Sequence, residues 1–196
     1  MSPHPSSTDA LSAYEAFMAE QTLTFPSLKD SEGDGFPPVS LVFDQQPQVS
    51  QHTLWLNYWI ANVAVFDQHP QVLPGLMARV YRMYPSLVRE HHLYLLLEEH
   101  GRFDLVLRER KLDANGVDYL VLQDGRAYGV QAYVDTPRSR MFRTRKRTRH
   151  KALGQTIELP LDMEGAEKVG PFAVYGHQHL DHIWSIVGGG AEQKAA

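Results

Sequence analysis

The chain has 196 residues, 43% of them hydrophobic and 21% charged, which is enough to bury a single ordinary core and too polar for a protein built of membrane spans. It contains no cysteine, which excludes disulfides, thiolate metal sites and a cysteine nucleophile. The net charge of −4 hides an uneven distribution: residues 137–151 hold eight Lys or Arg and no acid, so the remainder carries −12. A dense local run of positive charge is the footprint of a surface that meets a polyanion.

In chain order, Ser7 or Thr8 can cap a short helix running to about Gln21, with Leu11, Tyr14, Phe17 and Met18 at helical spacing. That stripe is expected to dock on the domain or on a second copy. No basic stretch followed by an apolar core opens the sequence, so no secretory signal is expected, and no apolar run reaches a membrane span. Together with the lack of cysteine, this fits a cytoplasmic protein. Phe25 to Ser50 is rich in Pro, Gly, Asp and Gln and reads as a long surface loop with one short edge strand at Val39–Phe43. Thr53 to Phe66, TLWLNYWIANVAVF, is apolar nearly all round and predicts a buried helix. Val72 to Tyr84 predicts another, ended by Pro85. Ser86 then caps a helix from Leu87 to His100 that stops at Gly101. The expected organisation is an N-terminal helix and loop over 1–52, a single α/β domain over 53–187, and a structureless tail over 188–196.

Strands are expected at Phe103–Leu107, at Val117–Leu122 and, after the turn signal Asp124-Gly125, at Ala127–Val134. Two more are expected at Thr156–Leu161 and Phe172–Tyr175. Runs that are apolar on both faces belong in the middle of a sheet covered by helices on both sides. Strand alternation puts Gln131 and Tyr133 on one face, and a hairpin would bring Asp118 beside Gln131. One carboxylate and one amide oxygen suit a hard cation such as Mg²⁺ that keeps several waters. The plainer alternative is that Asp118 caps a strand and Gln131 bonds locally.

Thr136 and Pro137 form an N-cap and first-turn pair for a helix that carries Arg138, Arg140, Arg143, Arg145, Lys146, Arg147, Arg149 and Lys151. Only Met141, Phe142, Ala152 and Leu153 interrupt the charge, so the helix suits phosphates better than burial, the alternative being a solvated charge run.

Glu90 on a helix, then GVD ending in Asp118, then YGVQAY containing Gln131, then a basic helix: this succession resembles the PD-(D/E)XK nuclease superfamily, the restriction-endonuclease-like fold. The resemblance covers roughly residues 86–160. It implies a mixed sheet flanked by helices, here with an extra N-terminal helical region. It further implies Mg²⁺ or Mn²⁺ held by Glu90, Asp118 and Gln131, and hydrolysis of DNA phosphodiesters. Tyr133 stands where the family has its lysine, which makes Lys146 or Arg138 the expected stand-in. A protein that keeps the fold and the nucleic acid but not the chemistry is the alternative, as is a subunit of a larger complex or a homodimer.

Near the C-terminus, GHQHLDH places His177, His179, Asp181 and His182 in a spacing that resembles the metallo-β-lactamase zinc motif. Too little sequence follows to supply the rest of that site. Surface histidines in a loop before a terminal strand or helix at Ile183–Val187 are expected instead, with a structural metal site as the alternative. No phosphate-binding glycine loop, GxSxG elbow or dinucleotide fingerprint is present.

Overall fold

The computed structural model describes residues 6–19, 38–108, 112, 117–137, 139–140 and 155–192. They form helices α1 (Ser7–Ala19), α2 (Val39–Gln45), α3 (Gln51–Ala61), α4 (Val63–Phe66) and α5 (Leu73–His100). Strands β1 (Leu105–Leu107), β2 (Tyr119–Gln123), β3 (Arg126–Val134), β4 (Gln155–Leu161), β5 (Glu167–Val169) and β6 (Phe172–Val174) follow, and helix α6 (His177–Glu192) comes last. The architecture is mixed α/β and divides into two compact units. One comprises the chain up to His91 with Val169–Phe172, the other His92–Lys168 with the chain from Ala173 onward.

In the first unit the expected edge strand at Val39–Phe43 is instead helix α2. Its buried residues, Val39, Val42 and Phe43, recur at three and four positions, so a helix puts all of them on one side where a strand would divide them. Helix α3 starts where Ser50 Oγ accepts the Thr53 N–H at 3.0 Å. It buries Gln51, Leu54 and Tyr58 on one side only, so the expectation of an all-round buried helix is corrected. The rings of Tyr14, Phe43, Tyr84 and Phe172 pack with centroids 6.0 to 6.5 Å apart. Their polar tips are satisfied: Tyr14 donates to the Pro47 carbonyl and Tyr84 to that of Val49 at 2.9 Å.

Pro85 does not end a helix. It lies inside α5, which runs unbroken for 28 residues, and the two helices read on either side of it are one. A proline in a helix removes the N–H that would serve the carbonyl four residues earlier, here that of Tyr81. That carbonyl receives the Gln51 side-chain Nε2 at 2.7 Å instead. Gln51 is only 8% exposed, so the bond forms where a missing partner would not be replaced by water. Helix α5 stops as expected at Gly101, whose φ of +64° a residue with a side chain rarely adopts.

In the second unit β1, β2 and β3 form an antiparallel meander, and β4 adds parallel to β3 in the order β1-β2-β3-β4. The β2–β3 turn is the Asp124-Gly125 pair, both at positive φ, as a two-residue hairpin of this twist requires. Parallel neighbours need a crossover, and the chain between β3 and β4 is the segment with the eight basic residues. Pro160 sits in β4, an outer strand of the sheet, where a missing N–H is tolerated. One face of the sheet (Val106, Tyr119, Val121, Tyr128, Val130, Ile157, Leu159, Leu161) meets Leu93, Leu96 and Leu97 of α5 and Leu180, Ile183 and Val187 of α6. The opposite face was expected to be covered as well. Its Leu107, Leu120, Leu122, Gln131, Tyr133 and Glu158 are only partly buried.

Phe172–Val174 does not join the main sheet but pairs with Glu167–Val169 in a separate two-stranded one. The GHQHLDH motif is not in a loop, because α6 begins at His177, and the glycines expected in a structureless tail lie in its later turns. Among the described residues no helix is long and apolar enough to cross a membrane.

Replacing Gln51 by Leu is expected to cost roughly 1–3 kcal/mol, because it removes the buried hydrogen bond from Gln51 to the Tyr81 carbonyl. In a Pro85→Ala background, where residue 85 regains its N–H, the cost should shrink by about 1 kcal/mol or more. Urea unfolding of the four proteins measures the coupling, and an equal cost in both backgrounds would disprove it.

Candidate functional site

Asp118 sits one residue before β2, where the ladder with β3 is about to end. Its N–H still donates to the Val130 carbonyl at 2.9 Å, while the preceding Val117 N–H turns away to the Leu112 carbonyl at 3.0 Å. The Ala132 N–H lies past the last ladder pair, Tyr119 with Val130, and takes a side-chain acceptor instead. The Asp118 carboxylate provides it, with Oδ2 2.7 Å from the Ala132 nitrogen. The strand-capping role is thus present, and it is held by a charge-assisted bond.

The register then decides what stands beside Asp118. Tyr119, the first paired residue of β2, lies opposite Val130, and Asp118 just before it donates to that same Val130 carbonyl, one residue from Gln131. In the parallel pair Gln131 lies opposite Glu158. Gln131 and Glu158 thus stand side by side on neighbouring strands, roughly 4.8 Å apart, on the face turned away from the core, with Asp118 at the adjoining end of β2, and all three are partly buried. Tyr133 follows two positions further on the same face, beside Pro160. Two carboxylates and an amide offer only hard oxygen donors, a set that fits Mg²⁺ or Mn²⁺ and not a soft metal.

Glu158 is the residue that reading the sequence missed. Alternation within Gln155–Leu161 places it on the face opposite Ile157 and Leu159, but only the pairing of β4 with β3 sets it next to Gln131. Glu90 lies partly buried in the portion of α5 that belongs to the first unit, whereas Asp118 and Gln131 belong to the second. Among the described residues no three or more His, Asp or Glu side chains are grouped as a metal site.

The described residues at the start of the basic segment are capped as their sequence suggests. Thr136 Oγ1 accepts the Ser139 N–H at 3.2 Å, and Ser139 Oγ accepts the Thr136 N–H at 3.0 Å, a reciprocal cap. The Arg140 N–H reaches the Thr136 carbonyl at 3.0 Å, closing the first turn. Arg140 forks onto Asp135 with Nε–Oδ1 of 2.6 Å and Nη2–Oδ2 of 2.7 Å, a bond that raises its pKa further. Its guanidinium is therefore already matched within the chain and is not a ready phosphate ligand. Arg138, Arg143, Arg145, Lys146, Arg147 and Arg149 lie outside the described residues.

The four residues of the zinc-like motif do separate jobs. His179 is the third residue of α6, and its Nδ1 accepts the Gly176 N–H at 3.0 Å, closing the helix start from the inside. Its ring also meets Tyr175 edge-on at 5.1 Å. Asp181 faces Arg102 at 3.9 Å in an exposed pair of little energetic weight, and His177 and His182 are exposed. Burial holds His179 below the ordinary imidazole pKa.

No family model, curated protein or solved structure matches this chain. What it does has to be argued from its own residues.

The His179 cap requires a neutral ring, since Nδ1 must keep its lone pair. His179→Ala should destabilise the protein by about 1 kcal/mol at pH 7.5, the usual worth of a helix cap. A folded pKa held below 6.5 means that the unfolded chain takes up the proton first. The contribution is thus complete above about pH 6.5 and fades as pH falls below it, so the two proteins should converge there in urea melts. A constant difference across this range would disprove the neutral-cap account.

Proposed function

We propose that the chain is a metal-dependent endonuclease acting on DNA, with a restriction-endonuclease-like core formed by α5, β1–β3, the basic crossover and β4. The observation that carries this reading is the cross-strand pair of Gln131 and Glu158 with Asp118 held at the adjoining end of β2, on the two sides of a crossover that holds the chain's concentrated positive charge. The order of elements supports it too, with Asp118 at the second strand and Gln131 in the third. Asp118, Gln131 and Glu158 would hold the ion, and Glu90, which belongs to the other unit, is left out of this set. When bound, Mg²⁺ lowers the pKa of a coordinated water and offsets charge on the scissile phosphate.

The chain's own residues then have distinct tasks. Asp118, pinned by the Ala132 N–H, presents its carboxylate from a rigid strand end rather than from a flexible loop. Lys146, Arg138 or a neighbouring cation of the crossover balances charge in place of the lysine replaced by Tyr133. Arg143, Arg145, Arg147 and Arg149 grip the backbone, which gives affinity without sequence choice. Arg140, engaged by Asp135, contributes least.

A second reading rests on Tyr133 and on the strand-capping bond of Asp118: a nucleic-acid-binding or assembly protein that has kept the fold without the chemistry. Cleavage of labelled duplex and single-stranded DNA and RNA, with Mg²⁺, Mn²⁺ or EDTA, separates the two. Asp118→Asn is the informative variant, because the amide oxygen can still accept the Ala132 N–H while the charge is lost. Metal-dependent cutting that falls by about 100-fold or more in folded Asp118→Asn is expected. Glu158→Gln and Glu90→Gln in the same assay report whether those carboxylates take part. Intact binding without cutting in any metal establishes the second reading.

Reversing Arg143 and Arg147 to Glu is expected to weaken DNA binding and to flatten the dependence of log K on log salt by roughly 0.9 for each phosphate no longer neutralised. Arg140→Ala should leave that slope nearly unchanged. Equal effects from all three positions would overturn the division of labour.

A further inference from the structure

Helices α5 and α6 both pack on one face of the sheet, against Val130, Ile157, Leu159 and Leu161 among others. The other face carries Leu120, Gln131, Tyr133 and Glu158, all partly buried. On that side Val117, 1% exposed, sets its methyls 3.1 and 3.2 Å from where a side chain at Gly129 would begin. A leucine and a tyrosine sunk to that depth on a sheet need a cover, and the topology says which part of the chain supplies it.

Chirality ties the direction of a side chain to that of its backbone bonds. Seen from the side its side chain points to, with the strand running up, an L-residue directs its own N–H and C=O to the right. Leu161 lies on the face of α5 and α6, and its carbonyl accepts the Asp135 N–H at 2.8 Å. From that side β3 therefore stands to the right of β4, and the step from β3 to its parallel neighbour runs left. From the opposite side the same step runs right. Connections between parallel strands are right-handed in about 98% of cases, and a right-handed one passes over the face from which the step runs right. That is the face of Gln131 and Glu158.

The described start of the crossover agrees. Asp135 alternates with Gln131 and Tyr133, and its N–H still joins the ladder, so its carboxylate stands on their face. Arg140, in the first turn after β3, forks onto that carboxylate at 2.6 and 2.7 Å. The rise in its pKa comes first from Asp135, and Tyr133 adds to it.

We infer that the crossover, residues 135–154, docks across the face of Leu120, Gln131, Tyr133 and Glu158, with Met141, Phe142, Ala152 and Leu153 as its apolar contacts. Cations and oxygen donors then share one side of the sheet. A polyanion held by the crossover meets Gln131 and Glu158 with no layer of strands between. The inference does not rest on the nuclease reading, since a crossover has a side whether or not the chain cuts DNA.

The chain has no cysteine, so engineered pairs are unambiguous. Phe142→Cys is combined with Tyr133→Cys, or with Ser185→Cys at an exposed position of α6, and each protein is treated with a short bis-maleimide. A helix packed on a sheet lies about 10 Å from it, and helices on opposite faces lie about 20 Å apart. An intramolecular cross-link about tenfold more abundant in the Tyr133 pair is expected. Equal yields, or the reverse, overturn the inference. Should Tyr133→Cys lose the native circular dichroism, Glu158→Cys takes its place. In a second measurement, maleimide labelling of Tyr133→Cys alone is expected to quicken about tenfold when Met141 and Phe142 are both replaced by Glu. An unchanged rate overturns the docking. Neither measurement involves DNA or metal, so a chain without nuclease activity leaves both results readable.

Discussion

The side-chain amide of Gln51 makes the helical scaffold possible. Without it, Pro85 would leave the Tyr81 carbonyl unserved in a buried environment and α5 would have a strong reason to break. With the bond in place at 2.7 Å, the helix runs from Leu73 to His100. Its last turns then supply Leu93, Leu96 and Leu97 to the hydrophobic layer over the sheet. A single hydrogen bond, made 30 residues away in sequence, converts a helix stop into a helix interior. The general rule that proline ends helices is really a statement about an unserved carbonyl and a crowded turn, and it yields where the carbonyl is served.

The sheet shows a similar economy. One face is almost entirely apolar and takes both α5 and α6, and the alternating positions stand on the other side. There the polar members of each strand line up because the strands are in register, not because they are near in sequence. Asp118 illustrates how structure and proposed chemistry share a residue: the carboxylate that closes the end of the β2–β3 ladder is the one proposed to serve a cation. A carboxylate with a structural bond is held in a defined direction, which a site for a hard metal needs, and its removal would disturb the strand end as well as the chemistry.

Charge is distributed as strictly as hydrophobicity. Eight basic residues occupy one crossover, acidic residues dominate elsewhere, and one helical stretch carries no formal charge at all. The function proposed above gives the basic crossover a polyanion to meet. Arg140 is an exception within the basic group, since Asp135 takes up its fork before any phosphate can.

Much of this was legible in the residues alone. The Asp124-Gly125 hairpin, the stop at Gly101, the Thr136-Pro137 helix start and the strands around Asp118 and Gln131 follow from local rules, because turn geometry, positive φ and capping involve neighbours within a few positions. The failures share one cause. Whether Val39–Phe43 is a strand or a helix, whether Pro85 breaks a helix, and whether α3 is buried on every side all depend on partners distant in sequence. Glu158 belongs with them: its place beside Gln131 is a property of a parallel register set across the crossover between β3 and β4. The sequence by itself determined the local elements, the concentration of positive charge and the residue types available for chemistry. Only tertiary structure decided which of those residues became neighbours, because long-range pairing is chosen by the packing of whole faces, and no local pattern encodes it.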